Sequence, residues 1–123
     1  MSVLISLEDR RISAEVLTER ANQDARWGEQ NHPDGTGPAW ARDEFGGLGG
    51  KLTATEYADL MRWYCATAAA ADRVTFRHIL IEEIAEAFAE DDPIALRMEL
   101  IQVAAVAQAW VAKLDRELRT GVA

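Results

Sequence analysis

Ile81-Glu82-Glu83-Ile84-Ala85-Glu86 and, thirteen residues after its last glutamate, Glu99-Leu100-Ile101-Gln102 are the two stretches on which the fold turns. Placed on a helix at about 100° per residue with Glu82 at zero, Glu86 falls near about 40°, Glu90 near about 80° and Glu83 near about 100°. Leu80, Ile81, Ile84 and Phe88 lie on the other side, between roughly 160° and 260°. The first stretch is therefore an amphipathic helix with an acidic face. Taken alone, that face suits plain solvation as well as it suits chemistry. The second stretch is different. With Glu99 at zero, Trp110 lies near about 20°, Val103 near about 40°, Leu96 and Leu114 near about 60°, Leu100 near about 100° and Val106 near about 340°. Glu99 thus sits inside the apolar stripe of its helix. A lone ionised carboxylate in such a place is costly unless it is paired. Arg97 is turned away, near about 160° on the same wheel. A metal ion shared with Glu82, Glu83 and Glu86 satisfies Glu99. The short link Glu90-Asp91-Asp92-Pro93 favours an antiparallel helix pair that sets the two glutamate groups face to face.

The rest of the chain extends the helical reading. Leu7 to Arg26 is rich in helix formers, with a possible break near Ser13. Thr53-Ala54-Thr55-Glu56 has the form of a capping box and opens a helix to about Ala71, with Tyr57, Leu60, Met61, Tyr64 and Cys65 along one side. Asp72 or Thr75 can cap a third helix ending at Glu90-Asp91. Asp92-Pro93 starts a fourth that runs to about Arg119, with Gly121 as its terminator. Between the first two helices the Gly- and Pro-rich stretch at about 27–52 reads as a long loop, which in a small domain is usually functional or disordered. The expectation is one all-α domain over residues 1–123, a four-to-five-helix bundle.

With 123 residues, 49% of them hydrophobic, the chain is long enough for one domain with a core. Its net charge of -8 argues against binding a nucleic acid polymer, which needs a basic face. An acidic protein can still meet phosphate through a bridging cation. The single cysteine, Cys65, cannot form an internal disulfide and reads as a buried thiol. The start, Met1-Ser2-Val3-Leu4-Ile5, lacks the basic leader and long apolar run of a signal peptide, and no segment reaches about 18 uninterrupted apolar residues. A cytoplasmic protein with no membrane partner is expected.

Hard divalent cations take oxygen ligands, and Mg²⁺ commonly uses a few carboxylates while keeping waters and substrate phosphates. The scarcity of thiolate and imidazole disfavours zinc. The pattern Glu82-Glu83-x-x-Glu86, twelve residues, Glu99-x-x-Gln102 resembles the Glu-Glu-x-x-Glu and Glu-x-x-Asp signature of the all-α nucleoside triphosphate pyrophosphohydrolases, the MazG and dimeric dUTPase superfamily. The segment Glu19 to Gly35, with Trp27-Gly28-Glu29-Gln30-Asn31-His32, is similar to the N-terminal part of MazG-like and phage-type dATP/dGTP pyrophosphohydrolases. The resemblance covers about two thirds of the chain, from Glu19 to Leu114 without the glycine-rich insert. It implies Mg²⁺-dependent (or Mn²⁺-dependent) cleavage between the α- and β-phosphates to a nucleoside monophosphate and pyrophosphate. It implies Glu82, Glu83, Glu86 and Glu99 as metal ligands with Gln102 in support, Glu83 as the water-activating residue, and assembly into a homodimer or homotetramer. The departure is Gln102, which stands where the family has aspartate. A neutral amide leaves three outcomes open: a metal held by the glutamates, a weaker site, or nucleotide binding without turnover.

Other residues have two readings each. Trp27, Asn31 and His32 suit a base pocket, by stacking and edge hydrogen bonds, or a loop packed down by its tryptophan. His78 suits a phosphate or ligand contact, or a helix cap. Arg73, Arg77 and Lys51 are candidate phosphate contacts that nothing selects among. Trp63 and Trp110 read as core or subunit interface, and Ala104, Ala105, Ala107 and Ala109 as a face for close helix approach. The competing functional class is a non-catalytic helical module that binds nucleotide or protein.

Overall fold

The computed structural model describes residues 3–34, 36, 38 and 52–121. They form four α-helices, with no strand among the described residues: α1 (Leu7–Trp27), α2 (Ala54–Ala70), α3 (Phe76–Ala89) and α4 (Pro93–Thr120). The loop read at 27–52 falls largely outside the described residues, Lys51 included, and Trp27 itself is the last residue of α1.

Local chemistry sets the boundaries. Ser6 caps α1 by accepting from the Asp9 N–H, and Gly28 ends it at φ 69°, a conformation that favours glycine, with its N–H on the Asp24 carbonyl. The helix runs unbroken through Ser13. Thr53 and Glu56 form the expected capping box. Thr75, not Asp72, caps α3; Asp72 instead lies at φ 56° just past α2. Asp92 Oδ2 accepts from the Ala95 N–H at 2.9 Å ahead of Pro93, and Gly121 at φ 74° follows the end of α4.

The chain divides into two compact units, Met1–Pro33 with Ala107–Ala123, and Asp34–Val106. In the first, Gln108 of α4 donates to the Asp9 carbonyl and the Ser13 hydroxyl of α1, and Glu8 pairs with Arg116 and Arg119. Ile12 and Ala112 are its buried apolar residues. In the second, α2 packs on α3. Among the described residues, those buried there are Ala54, Ala58, Ala68, Ala85, Ala87 and Leu96, so five of six are alanine. Small side chains let helix axes come close, and that closeness brings side chains of different helices into reach.

The alanine face expected on α4 is not what is buried: Ala104, Ala105 and Ala109 are exposed in the single chain. Trp63 is exposed as well, edge-on to Tyr64 at 5.1 Å, and so is not core, whereas Trp110 is half-buried. Met98, Leu100, Ile101, Val111, Leu114 and Leu118 of α4 are also exposed. By length and composition α4 is long and apolar enough to cross a membrane. Its uncharged run, from Leu100 to Ala112, is shorter than the roughly 20 apolar residues that cross a bilayer.

Candidate metal centre

The second unit supplies three of the glutamates from two helices. Glu83 and Glu86 are one turn apart on α3, and Glu99 comes from the N-terminal half of α4. All three are half-buried, and one carboxylate oxygen from each lies within 4.8 Å of the others. Two oxygens that ligate one hard divalent ion lie at most about 4–5 Å apart, twice the ligand distance. The three carboxylates are therefore already at nearly the spread of one coordination sphere.

Their hydrogen bonding is incomplete. Glu83 Oε2 and Glu99 Oε2 are buried without a hydrogen-bond partner. Buried polar atoms are rarely left so, because the lost hydration is not replaced. Burial, then the charges of Glu86, Glu99 and Glu82, pushes the Glu83 carboxyl above its ordinary value. Burial and the Glu99 charge push Glu86 up as well, with Glu82 adding to the rise, and Arg62 partly offsets them. Like charges this close favour a shared proton or a cation. An all-oxygen donor set with two unsatisfied buried oxygens fits a hard divalent ion.

Arg62 is the residue that sequence reasoning missed. It lies on α2, where Nη1 meets Asp59 at 2.9 Å and Nη2 reaches Glu86 at 3.3 Å. Partial burial opposes the guanidinium charge, yet the hydrogen bonds and charges of Asp59 and Glu86 raise its proton affinity overall. A cavity of about 290 Å³ adjoins the cluster, lined by Asp59, Arg62, Glu86, Glu90 and Glu99 among others. Thr36 closes the far end of α3 by donating to the Glu90 carbonyl at 2.7 Å. The only sequence signal for Arg62 was an Asp59-x-x-Arg62 pair, which on its own reads as an ordinary surface contact.

The remaining residues separate. Glu82 is turned to α2, where the Cys65 thiol donates to it; that hydrogen bond, with burial and the neighbouring carboxylates, pushes the thiol up to about 11. Cys65 is half-buried beside an acid, not sunk in an apolar core. Gln102 is exposed. His78 takes the cap geometry, its Nδ1 accepting from the Thr75 N–H at 3.1 Å within the capping box. In the other unit, Trp27 is exposed with the Arg26 guanidinium 4.9 Å from its ring centroid. Asn31 donates to Glu29, and His32 bonds Gln30, both exposed. A cavity of about 690 Å³ beside the end of α1 is lined by Arg20, Asp24, Gly28, Glu29 and Gln30 and by none of those three. Compared with protein-family models, with curated proteins and with solved structures, the chain matches none.

Proposed function

We propose that the protein is a Mg²⁺-dependent nucleoside triphosphate pyrophosphohydrolase of the MazG-like kind, with Mn²⁺ as a substitute ion. The observation that carries this reading is the half-buried Glu83, Glu86 and Glu99 trio with two buried carboxylate oxygens that no protein group satisfies. These three residues would hold the cation, and Glu82 and Gln102 would lie outside its nearest ligands. A bound divalent ion supplies charge neutralisation of phosphate oxygens and a site for water. A carboxylate would take the proton of the water that attacks the α-phosphorus as the bond to the β-phosphate breaks and pyrophosphate leaves, and Glu83 is assigned that role by its place in the motif. The cavity of about 290 Å³ beside Glu86 and Glu99 is at the small end of ligand sites, and because Asp59 and Glu90 line it as well, a phosphate there would depend on the bound cation and on Arg62.

The exposed apolar residues of α4 support a homodimer or homotetramer, which would cover some of them. A solution mass of at least twice the 13.6 kDa of one chain is expected by light scattering. A cytoplasmic place, with neither membrane nor nucleic acid polymer as partner, belongs to the same proposal. One observation favours a second reading: the neutral, exposed Gln102 adds no charge to the site, which suits a module that binds nucleotide without turning it over. Incubation with a panel of nucleoside triphosphates and Mg²⁺ separates the two. Pyrophosphate release that is lost in Glu83→Gln and Glu86→Gln supports the enzyme; binding without release, with activity appearing in Gln102→Asp, supports the module.

A further inference from the structure

Arg62 is placed to do more than stabilise helices. Among the described residues it provides the one cationic contact to the cluster, through Glu86, and it also lines the cavity beside Glu86 and Glu99. Its two contacts are unequal. The Nη1 contact to Asp59, three residues earlier on the same helix, is 2.9 Å, within the range of a charge-assisted hydrogen bond. The Nη2 contact to Glu86 is 3.3 Å and spans 24 residues, so it is the looser of the two. Asp59 therefore tethers the guanidinium at the cavity wall while the other half of its fork remains exchangeable. The side chain is 52% exposed, so leaving Glu86 costs it little desolvation.

We propose that Arg62 is the resident counter-ion of the metal-free cluster and becomes the phosphate-binding residue of the loaded one, its Nη2 passing from Glu86 to a phosphate oxygen of a nucleoside triphosphate. This rests on reading the trio as a divalent metal centre for nucleotide hydrolysis. A cation on Glu86 would offset the charge that attracts Nη2, and with Glu86 and Glu99 neutralised by that cation the freed donors would face the cavity that Arg62 lines. A planar guanidinium fork, already held by Asp59, matches tetrahedral phosphate in a way that an ammonium does not. Arg62 thus competes with the metal for Glu86 and cooperates with it for the substrate.

The test compares wild type, Arg62→Gln and Arg62→Lys in three measurements: thermal unfolding in EDTA, Mn²⁺ binding read from the free-ion electron paramagnetic resonance signal, and KM for triphosphate hydrolysis. Arg62→Gln is expected to lower the Tm in EDTA and to tighten Mn²⁺ by about two- to fivefold, the span that an exposed ion pair supports. It is expected to raise KM at least about tenfold, as the loss of a hydrogen bond to a charged group does. Arg62→Lys keeps the charge and so restores the Tm in EDTA without restoring KM. Mn²⁺ bound no tighter by Arg62→Gln, or a KM that does not rise, overturns this inference alone. Wild-type protein that binds no Mn²⁺ overturns the metal centre and this inference with it.

Discussion

Replacing Glu99 by glutamine should stabilise the metal-free protein and at the same time remove its response to Mg²⁺. The carboxylates of Glu83, Glu86 and Glu99 approach within 4.8 Å. At that distance two unit charges repel by about 0.9 kcal/mol in bulk water and by about 3.5 kcal/mol at an effective dielectric constant of 20. Glu99 faces two such neighbours, but the three side chains are only half-buried and Arg62 offsets part of the charge. Removing the Glu99 charge is therefore worth on the order of 1–2 kcal/mol above neutral pH. The glutamine amide can also donate where Glu83 Oε2 now lacks a partner. For a chain of this length each kcal/mol moves the Tm by roughly 3–6 °C. In wild type, Mg²⁺ at about a hundred times its dissociation constant adds about 2.7 kcal/mol, and in Glu99→Gln it should add little. Thermal unfolding at pH 8 should thus show the two proteins exchanging rank: the variant more stable in EDTA, wild type more stable in Mg²⁺. A variant less stable than wild type in EDTA, with its Mg²⁺ shift intact, would refute the assignment of Glu99 to a repulsive, metal-ready cluster.

Three further outcomes follow from the same geometry. The elevated carboxyls of Glu83 and Glu86 bind protons more tightly in the native state than when unfolded, so their stabilising contribution is complete below the ordinary value of 4.5 and is lost as pH rises through the elevated folded values. In EDTA the Tm should therefore rise as pH is lowered from the alkaline side toward 4.5, and saturating Mg²⁺ should flatten or reverse that slope; a metal-free Tm with no component of this sign, one that Glu83→Gln and Glu86→Gln leave unchanged, contradicts it. Cys65, pushed up to about 11 by its bond to Glu82, should react with iodoacetamide many times more slowly at pH 8 than an ordinary exposed thiol, and Glu82→Gln should speed the reaction. Thr75→Ala removes the side-chain acceptor at the start of α3 and should cost about 1 kcal/mol in urea unfolding, a loss that His78→Ala shares in part because both belong to one capping box.

The fold was legible because its signals are local. Thr53 with Glu56, Asp92 with Pro93, and Gly121 mark helix ends through groups within a few residues of each other, and all three act as expected. The candidate site was legible only in part, for a physical reason. A helical wheel gives the angle of a side chain on its own helix but not which neighbour packs there. It set Glu82, Glu83 and Glu86 within about 100° of one another, and the packing of α2 on α3 divides them, Glu82 toward Cys65 and the other two toward Glu99. Arg62 escaped notice because its partner Asp59 lies one turn away, whereas the contact that matters, to Glu86, spans 24 residues. Glu99 stands out in the sequence because a carboxylate inside an apolar stripe violates a rule that can be checked without tertiary information. Gln102, near about 300° on the wheel with Glu99 at zero, is exposed, since the apolar face of α4 is only partly covered.

The bond that is broken tests the account most directly. Phosphorus NMR of a nucleoside triphosphate incubated with the protein and Mg²⁺ should show the monophosphate and pyrophosphate appearing together in equal amounts, and neither in Glu86→Gln. Diphosphate with inorganic phosphate, or a triphosphate left intact by folded, Mg²⁺-saturated protein, would contradict it.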